Sequence, residues 1–312
     1  MIKNKDDNFV SAVIYVYNCE DKIQDMLKNV NEILSEKFKT YEIICVNDAS
    51  TDNSLSRIRE FKKTLKYGML SVINMSYYQG VEPAMNAGVD MAIGDFVYEF
   101  DNLITVGEKK IVLDIYDKCI NGFDIVSASN EECKNKYSER FYKIFNKYSS
   151  MKYKIYTENF RILSRRAINR IQSMTRLIPY RKALYANCGL KICNIKYKCK
   201  ENKVKKIDKE EYRNKIETAT NSLILFTNIG YRFAFKMCIT MAIIIIILSI
   251  YAISKLISGC TLSGWITTAL LLSFIFGGLF VLITVAIKYM EVLVKIILKK
   301  YNYIIETVEK IS

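Results

Sequence analysis

Carboxylate, amide and hydroxyl side chains follow an abruptly ending apolar run in the segment YEIICVNDASTDNS, residues 41–54. The apolar run ends at Val46, and Asp48, Ser50 and Asp52 come within the next six residues. Such groups can bind a polar ligand, or they can form the cap of the helix that follows. Ser50 or Thr51 is placed to cap that helix, so Asp48 is the residue that capping leaves unexplained.

The same change from apolar to polar recurs where other strand-length runs end. The polar residues at these ends are Asn18 and Glu20, Asn74 and Ser76, Asp101 and Asn102, and Ser127, Ser129 and Asn130. In open α/β sheets, ligands bind beyond the carboxyl ends of the parallel strands. We therefore expect these side chains to converge on one edge of a sheet.

The elements that must position these groups alternate regularly through the first two hundred residues. Strand-length apolar runs lie at 9–18, 41–47, 69–74, 95–100 and 123–129, and segments with helical spacing lie between them at 20–35, 51–66, 80–92 and 107–121. This alternation predicts an α/β fold with a mostly parallel sheet covered by helices on both faces.

Several common types of site are excluded by the composition. Neither GxGxxG nor GxxxxGK[ST] occurs, so a dinucleotide or P-loop site is not expected. The chain has no histidine, and its nine cysteines form no CxxC pair, so the common zinc sites and every imidazole base are absent. We interpret the cysteines as reduced thiols in a cytoplasmic compartment.

Two uncharged runs are long enough to cross a membrane. Residues 237–254 and 265–287 form these runs, and "SGCTLSGW" reads as the turn between them. Basic residues precede the first run and follow the second, so the positive-inside rule predicts a multi-pass protein of the cell membrane with both termini cytoplasmic. Transport through this hairpin has little support, because its charged residues lie near the ends of the spans.

The formal charge of +14 indicates an anionic partner. Residues 191–215 contain ten Lys or Arg against four acids, just upstream of the apolar runs. A basic segment beside a span favours anionic lipid headgroups over nucleic acid, for which no recognition module is found. A stripe of Tyr212, Ile216, Ala219 and Leu223 predicts a helix that lies in the headgroup plane or packs on the preceding domain.

These observations predict four parts. Residues 1–207 form the sheet domain, 208–232 a juxtamembrane amphipathic helix, 233–288 the two transmembrane helices (about 233–255 and 265–287), and 289–312 a basic, amphipathic tail at the cytoplasmic face.

Four segments of the first part together resemble family 2 glycosyltransferases of the GT-A fold. They are VIYVYNCEDKIQDML, IICVNDASTDNS, GVEPAMNAGVDMAIGDFVYEFDN and SERFYKIFN…FRILSRRAI. The later pieces LILFTNIGYRFAFK, FGGLF and KKYNYIIETV are similar to the membrane-anchored polyprenyl-phosphate sugar transferases, and the resemblance covers nearly the whole chain. It implies an inverting transfer of a hexose or N-acetylhexosamine from a nucleoside diphosphate to a polyprenyl (undecaprenyl) phosphate.

The resemblance also implies roles for individual residues. The nucleotide sugar would be bound by Asn18, Glu20, Asp48, Ser50, Asp52, Asp101 and Asn102. Catalysis would involve Asp101, Arg161 and Arg165, and the acceptor phosphate would contact Lys134, Arg140 and Arg161. A polyprenyl phosphate is already an anionic nucleophile, so a chain without histidine remains competent, and cations are needed to neutralise the leaving diphosphate.

The chain departs from the family pattern at its metal-binding motif. The family places a second Asp two residues after Asp101 and commonly a Gln two residues later, but this chain has Leu103 and Thr105. Mg²⁺ and Mn²⁺ prefer oxygen ligands, so a divalent ion would have Asp101 as its one remaining carboxylate from the motif.

Three alternatives follow from this departure. Glu99 shares a strand face with Asp101 and is expected to pair with a cation inside the fold rather than to bind a metal. The positive charge could instead come directly from Lys134, Lys136, Arg140, Arg161 and Arg165. Finally, the chain could be a membrane-anchored binding or scaffold protein that no longer turns over substrate. The sequence leaves the sugar, the base, the lipid length and the oligomeric state open, a homo-oligomer included.

Overall fold

The computed structural model describes residues 5–63, 65, 67–103, 106–132, 136–174, 179–199, 208–258, 264–298 and 302–311. The chain divides into two compact units. The first contains Met1–Lys147, Met151–Ala219 and Lys300–Ser312, and the second contains Tyr148–Ser150 and Thr220–Lys299.

The first unit is built on an eight-stranded sheet. Its strands are β1 (Val10–Val16), β2 (Tyr41–Asn47), β3 (Met69–Met75), β4 (Phe96–Phe100), β5 (Ile125–Asn130), β6 (Phe160–Ser164), β7 (Ile192–Tyr197) and β8 (Ile305–Ile311). Their order across the sheet is β7-β5-β6-β4-β1-β2-β3-β8, and β6 and β8 run opposite to the other six strands. The expected mostly parallel sheet is confirmed.

Helices connect the strands in the alternation that the sequence predicts. They are α1 (Ile23–Lys37), α2 (Ser54–Lys62), α3 (Val81–Met91), α4 (Lys109–Ile120), α5 (Lys136–Tyr148), α6 (Arg165–Met174) and α7 (Arg181–Asn187). Every residue of β2 is buried, which requires cover on both faces of the sheet. On one face, Tyr116 of α4 packs edge-on against Phe38 and Phe96, with ring centroids 4.7 and 5.3 Å away.

Two glycines allow elements to approach the sheet closely. A Cβ at Gly88 of α3 would lie 2.2 Å from Val13 Cγ1 and 2.8 Å from Val46 Cγ2, so this helix rests directly on β1 and β2. A Cβ at Gly94 would lie 2.6 Å from the backbone nitrogen of Ser11. The segment from α3 to β4 therefore has its path determined by contacts that only glycine permits.

The end of the chain differs from the predicted tail. Residues 289–312 do not form one separate segment, because α10 (Gly264–Leu298) continues to Leu298 and β8 then pairs antiparallel with β3. Without β8, β3 would be an edge strand with unpaired backbone groups. Arg59 of α2 donates to both carboxylate oxygens of Glu309, at 3.1 and 2.6 Å, and so attaches β8 to the neighbouring helix as well.

The second unit contains two long apolar helices, α9 (Ile229–Ile257) and α10. Segments Ile229–Tyr251 and Phe274–Val294 are long and apolar enough to cross a membrane, by length and composition. The helices contact each other at two levels: the Gly230 N–H donates to the Tyr289 hydroxyl at 3.1 Å, and Gly278 lies against Met241. The described part of this unit therefore forms a helical hairpin.

The helix before the hairpin, α8 (Lys209–Phe226), contacts the sheet domain through a polar residue. Asn214 lies against Gly80 at the start of α3. Tyr212 and Ile216, members of the predicted stripe, are 60% and 49% exposed. A polar residue of α8 thus contacts the domain, while two apolar residues remain at the surface.

Candidate active site

The loops that follow β1 and β2 are joined by hydrogen bonds at the carboxyl edge of the sheet. The Asn18 Oδ1 accepts from the Thr51 N–H at 2.9 Å, and the Asn18 N–H donates to Ser50 Oγ at 3.2 Å. The Ser50 N–H in turn donates to Asn47 Oδ1 at 3.1 Å. Asn18 and Ala49 both have positive φ, 43° and 54°, so the two loops turn sharply at this contact.

Two further hydrogen bonds between these loops bear on the expectation that Ser50 or Thr51 caps helix α2. The Glu20 N–H donates to Asp52 Oδ2 at 3.0 Å, and Glu20 Oε2 accepts from the Asn53 N–H at 2.8 Å. Helix α2 begins only at Ser54, whose N–H donates to Asp52 Oδ1 at 3.0 Å. Ser50 and Thr51 therefore do not cap this helix. It begins only at Ser54, and Glu20 of the β1 loop binds Asp52 and Asn53, which lie in between.

Asp48 is completely buried and accepts three hydrogen bonds. Its Oδ1 accepts from the Gln79 N–H at 2.8 Å, and its Oδ2 accepts from the Gly80 N–H at 2.8 Å and the Tyr15 hydroxyl at 3.0 Å. Gly80 immediately precedes α3, so the carboxylate satisfies free N–H groups at a helix start. Burial raises the pKa of Asp48 to about 6, although the donors from Gln79 and Tyr15 oppose this shift.

Glu99 on β4 and Asp101, which directly follows this strand, face a buried arginine from β6. Arg161 Nη1 lies 2.5 Å from Glu99 Oε2, Arg161 Nη2 lies 2.6 Å from Asp101 Oδ2, and Arg161 Nε donates to Glu158 Oε2 at 3.1 Å. The antiparallel register that pairs Glu99 with Arg161 explains this contact. The expectation that Glu99 pairs with a cation inside the fold is confirmed.

A second arginine, Arg181 at the start of α7, contacts the same two acids from the other side. Its Nη2 donates to Asp101 Oδ1 at 2.8 Å, and its Nη1 makes an ionic contact with Glu99 Oε1 at 2.9 Å that lacks hydrogen-bond geometry. Its Nε donates to Glu82 Oε2 at 3.1 Å. Burial alone would raise the pKa of Asp101, but Arg161 and Arg181 hold it below its ordinary value.

These contacts connect the two halves of the site. Gly80 donates to Asp48, and Glu82, two residues later in the first turn of α3, accepts from Arg181, which reaches Asp101. The carboxyl ends of β2 and β4 are therefore linked through the start of α3. The predicted convergence of polar groups on one sheet edge is borne out for the ends of β1, β2 and β4.

Arg165 is separated from this site. Strand β6 runs antiparallel to β4, so Arg161 lies near the carboxyl end of β4 and Arg165 near its beginning. The Arg165 guanidinium donates to the carbonyl oxygens of Gly94 and Ala92, at 3.0 and 2.9 Å. Four residues of strand span about 13 Å, so the Arg165 guanidinium lies away from the ion pairs of Arg161, and its catalytic role stays a prediction.

The other cationic candidates are exposed at the surface or lie outside the described residues. Arg140 is exposed on α5. Lys136, at the start of the same helix, is exposed. Lys134 and Thr105 lie outside the described residues, and Asn102 is exposed beside Asp101.

Sequence reasoning missed four residues of the acidic and basic cluster. They are Glu82, Glu158, Arg181 and Tyr185, whose hydroxyl donates to Glu99 Oε1 at 2.7 Å. Lys182, which follows Arg181, donates to the Tyr142 hydroxyl at 3.2 Å. The only local signal was the basic pair at the start of a short helix, and such pairs usually face solvent.

A family comparison agrees with this architecture. Residues 11–172, just over half of the chain, match the profile of "Glycosyl transferase family 2". The chain belongs to glycosyl transferase family 2. The matched region contains β1 through β6 and the first two turns of α6, so it includes the Asn18, Asp48 and Asp101 loops and Arg161.

Relatives in this family carry names that agree with the resemblance. An uncharacterized glycosyltransferase of Synechocystis sp. is 29% identical over 186 residues, covering 58% of each chain. A prophage bactoprenol glucosyl transferase homolog of Escherichia coli is 28% identical over 198 residues, 60% of this chain and 62% of the relative. The chain thus spans about three fifths of the length of these family 2 relatives.

A solved structure supports the fold. A mannosyltransferase from Pyrobaculum calidifontis, solved with GDP-mannose and Mn²⁺, superimposes with a TM-score of 0.51 at 15% identity, covering 95% of this chain and 88% of that one. At this identity the likeness concerns the fold, and the expected GT-A architecture of the family 2 domain is confirmed.

Proposed function

We propose that this chain transfers a sugar from a nucleoside diphosphate to a polyprenyl phosphate at a membrane surface. The observation that carries the proposal is a family 2 domain, with polar residues gathered at the carboxyl edge of its sheet, continuous with two helices apolar enough to span a bilayer. The names of the bactoprenol glucosyl transferase relatives support a polyprenyl phosphate as the acceptor.

The reaction needs no base from the protein. A phosphate oxygen of the lipid forms a bond to the anomeric carbon, the bond from that carbon to the nucleoside diphosphate breaks, and the diphosphate leaves with the electron pair. Attack from the face opposite the leaving group inverts the anomeric centre. The attacking oxygen is already anionic, which suits a chain without histidine.

The sugar nucleotide would be bound at the ends of β1, β2 and β4. The loop residues Asn18, Glu20, Ser50 and Asp52 surround the β1–β2 edge, and Asn102 is exposed next to Asp101. In this proposal Asp48, Asp101 and Arg161 shape the site from beneath, because all three are held in buried hydrogen bonds and ion pairs.

The acceptor would approach from the bilayer. Tyr212 and Ile216 are exposed on α8, and an exposed apolar stripe beside a basic segment fits a helix in the headgroup plane. The basic residues that flank the apolar helices favour cytoplasmic positions for both ends of the chain. Fusing a fluorescent protein to each end tests this orientation, since such a protein fluoresces in the cytoplasm but does not fold after bacterial export in the unfolded state.

Turnover is tested with the full chain purified in detergent. Radiolabelled sugar nucleotides are added with undecaprenyl phosphate, and a lipid-linked sugar is expected by thin-layer chromatography. Arg166→Met is expected to keep the activity of the wild-type chain, because Arg166 pairs with Asp124 at the opposite edge of the sheet and is 69% exposed. Failure of every common donor to yield product, with and without Mn²⁺, would contradict the proposal.

A binding or scaffold role is the second candidate. It is favoured by Leu103 and by the ion pairs that occupy both oxygens of Asp101. Calorimetric titration with sugar nucleotides separates the two candidates. Saturable binding together with product supports the transferase, whereas absence of saturable binding favours the scaffold.

A further inference from the structure

The oxygen atoms of Asp101 are both engaged by arginine nitrogens. Arg161 Nη2 lies 2.6 Å from Oδ2 and Arg181 Nη2 lies 2.8 Å from Oδ1. The other terminal nitrogen of each guanidinium, Nη1, contacts a carboxylate oxygen of Glu99, at 2.5 Å for Arg161 and 2.9 Å for Arg181. Each arginine thus bridges Glu99 and Asp101 with its two terminal nitrogens, an arrangement called a fork below. Both arginine side chains are at most 1% exposed.

The residues present do not fit a divalent metal ion at this place. Mg²⁺ and Mn²⁺ need several oxygen ligands close to about 2.1 Å, and Leu103 stands where the family has the second carboxylate. Among the described residues, no cluster of three or more acidic, cysteine or histidine side chains could hold a metal. An ion at Asp101 would have to displace a buried arginine from its partners, and breaking a buried ion pair leaves an uncompensated charge in the interior.

We infer that Arg161 and Arg181 stand in for the divalent cation, and that this chain binds its nucleotide sugar without a metal ion coordinated by Asp101. Two guanidiniums carry the same total charge as one divalent ion, and both contact Glu99 and Asp101. Arg161 pairs in addition with Glu158, and Arg181 with Glu82. Asp101 is then a positioning residue, which orients the two arginines and, through Arg181 and Glu82, the start of α3. The inference depends on the proposed function only for the identity of the ligand.

Direct metal binding tests this without any turnover. Mn²⁺ is titrated into the full chain in detergent, and the free ion is measured by its electron paramagnetic resonance spectrum. Wild type and Asp101→Asn are expected to leave the same amount of free Mn²⁺. One bound Mn²⁺ per wild-type chain that disappears in Asp101→Asn would overturn the inference. Circular dichroism establishes that both proteins are folded.

Variants that restore the family motif test the role assigned to the arginines. Leu103→Asp with Arg181→Met supplies a second carboxylate and frees Asp101 Oδ1, and it is expected to gain at least about tenfold in Mn²⁺ affinity. Leu103→Asp alone keeps both forks and is expected to gain little. Tight binding by Leu103→Asp alone, or no gain in the double variant, would contradict the assignment.

Turnover provides a separate measurement. Product formation by the wild-type chain is expected to stay within about twofold when excess EDTA replaces Mn²⁺, because the charge at Asp101 is built into the protein. A large loss of activity in EDTA, restored by Mn²⁺, would overturn the inference. Absence of product under both conditions would instead count against the proposed function and leave the metal-binding result to be judged by itself.

Discussion

The side-chain amide of Gln79 forms two hydrogen bonds with the main chain of Ile304. Gln79 Nε2 donates to the Ile304 carbonyl at 2.7 Å, and Gln79 Oε1 accepts from the Ile304 N–H at 3.0 Å. The backbone N–H of the same glutamine donates to Asp48. A residue of the β3–α3 loop thus joins the segment before β8 to the acid buried beneath the candidate nucleotide site.

Gln79→Ala is expected to loosen this connection. Both bonds are exposed, so the Ile304 N–H and carbonyl would exchange Gln79 for water, at a net cost of about 1 kcal/mol for each hydrogen bond. Hydrogen exchange of the backbone at 304–311 is expected to become faster, and KM for the sugar nucleotide is expected to rise more than kcat falls.

Gln24→Ala is the control for Gln79→Ala, since Gln24 makes exposed bonds to Arg57 and Glu60 on another surface. Equal exchange rates in both variants would contradict a role for Gln79 in holding the segment.

The stability of the protein is expected to fall as pH rises between about 4 and 6 because of Asp48. The pKa of Asp48 is about 6 in the folded chain, above the value of about 4 in an unfolded chain, so the folded state binds more protons in this window. Asp48→Asn removes the charge. Its stability relative to wild type is expected to increase by about 1 kcal/mol from pH 5 to pH 7.5.

Thermal unfolding followed by circular dichroism measures this difference. Asp52→Asn is the matched control, because hydrogen bonds from Ser54 and Glu20 lower the pKa of Asp52 despite its partial burial. A group with a lowered pKa loses its contribution only at more acidic pH, so the Asp52→Asn difference is expected to stay constant from pH 5 to 7.5. A constant difference for Asp48→Asn as well would refute the assignment.

Arg161→Met is expected to destabilise the sheet domain strongly. It leaves Glu99, Asp101 and Glu158 without one partner in a buried setting, and breaking such a pair costs about 3–5 kcal/mol. Arg166→Met removes an arginine five residues away that pairs at the surface, and it is expected to have little effect.

The stability of both arginine variants is measured by the reactivity of the buried Cys45 and Cys119 thiols, which become accessible as the protein unfolds on heating. Arg161→Lys tests the fork itself, because a lysine carries the charge but cannot bridge two carboxylates with separate nitrogens. Full rescue by Arg161→Lys would show that charge alone suffices.

Gly88→Ala is expected to disturb the packing of α3 on the sheet. The added methyl group would meet Val13 and Val46, whose branched side chains are held within buried strands, and such overpacking typically costs about 1–3 kcal/mol. Gly277→Ala adds the same group to α10, where no described atom beyond the helix's own backbone lies within 4 Å, and it is expected to be neutral or slightly stabilising. Comparable unfolding temperatures for the two variants would contradict the close packing of α3.

Local sequence patterns were sufficient for the five strands β1 to β5, whose structural bounds fall within two residues of the apolar runs. Strands β6, β7 and β8 were not predicted. FRILS is short and lies among basic residues, and IETVEKI has its pairing partner, β3, more than two hundred residues earlier. A strand whose partner is distant carries little of its own signal, because sheet pairing is a property of both strands.

The same distinction applies to the candidate site. The residue types at the ends of β1, β2 and β4 were determined by the sequence, since parallel strands bring their carboxyl ends to one edge whatever the details of packing. Only the tertiary structure decided which charges meet. The direction of β6 separated Arg165 from Arg161, and the placement of α7 brought Arg181 to Asp101. Ion pairs between distant segments depend on the relative placement of whole elements, which no local spacing encodes.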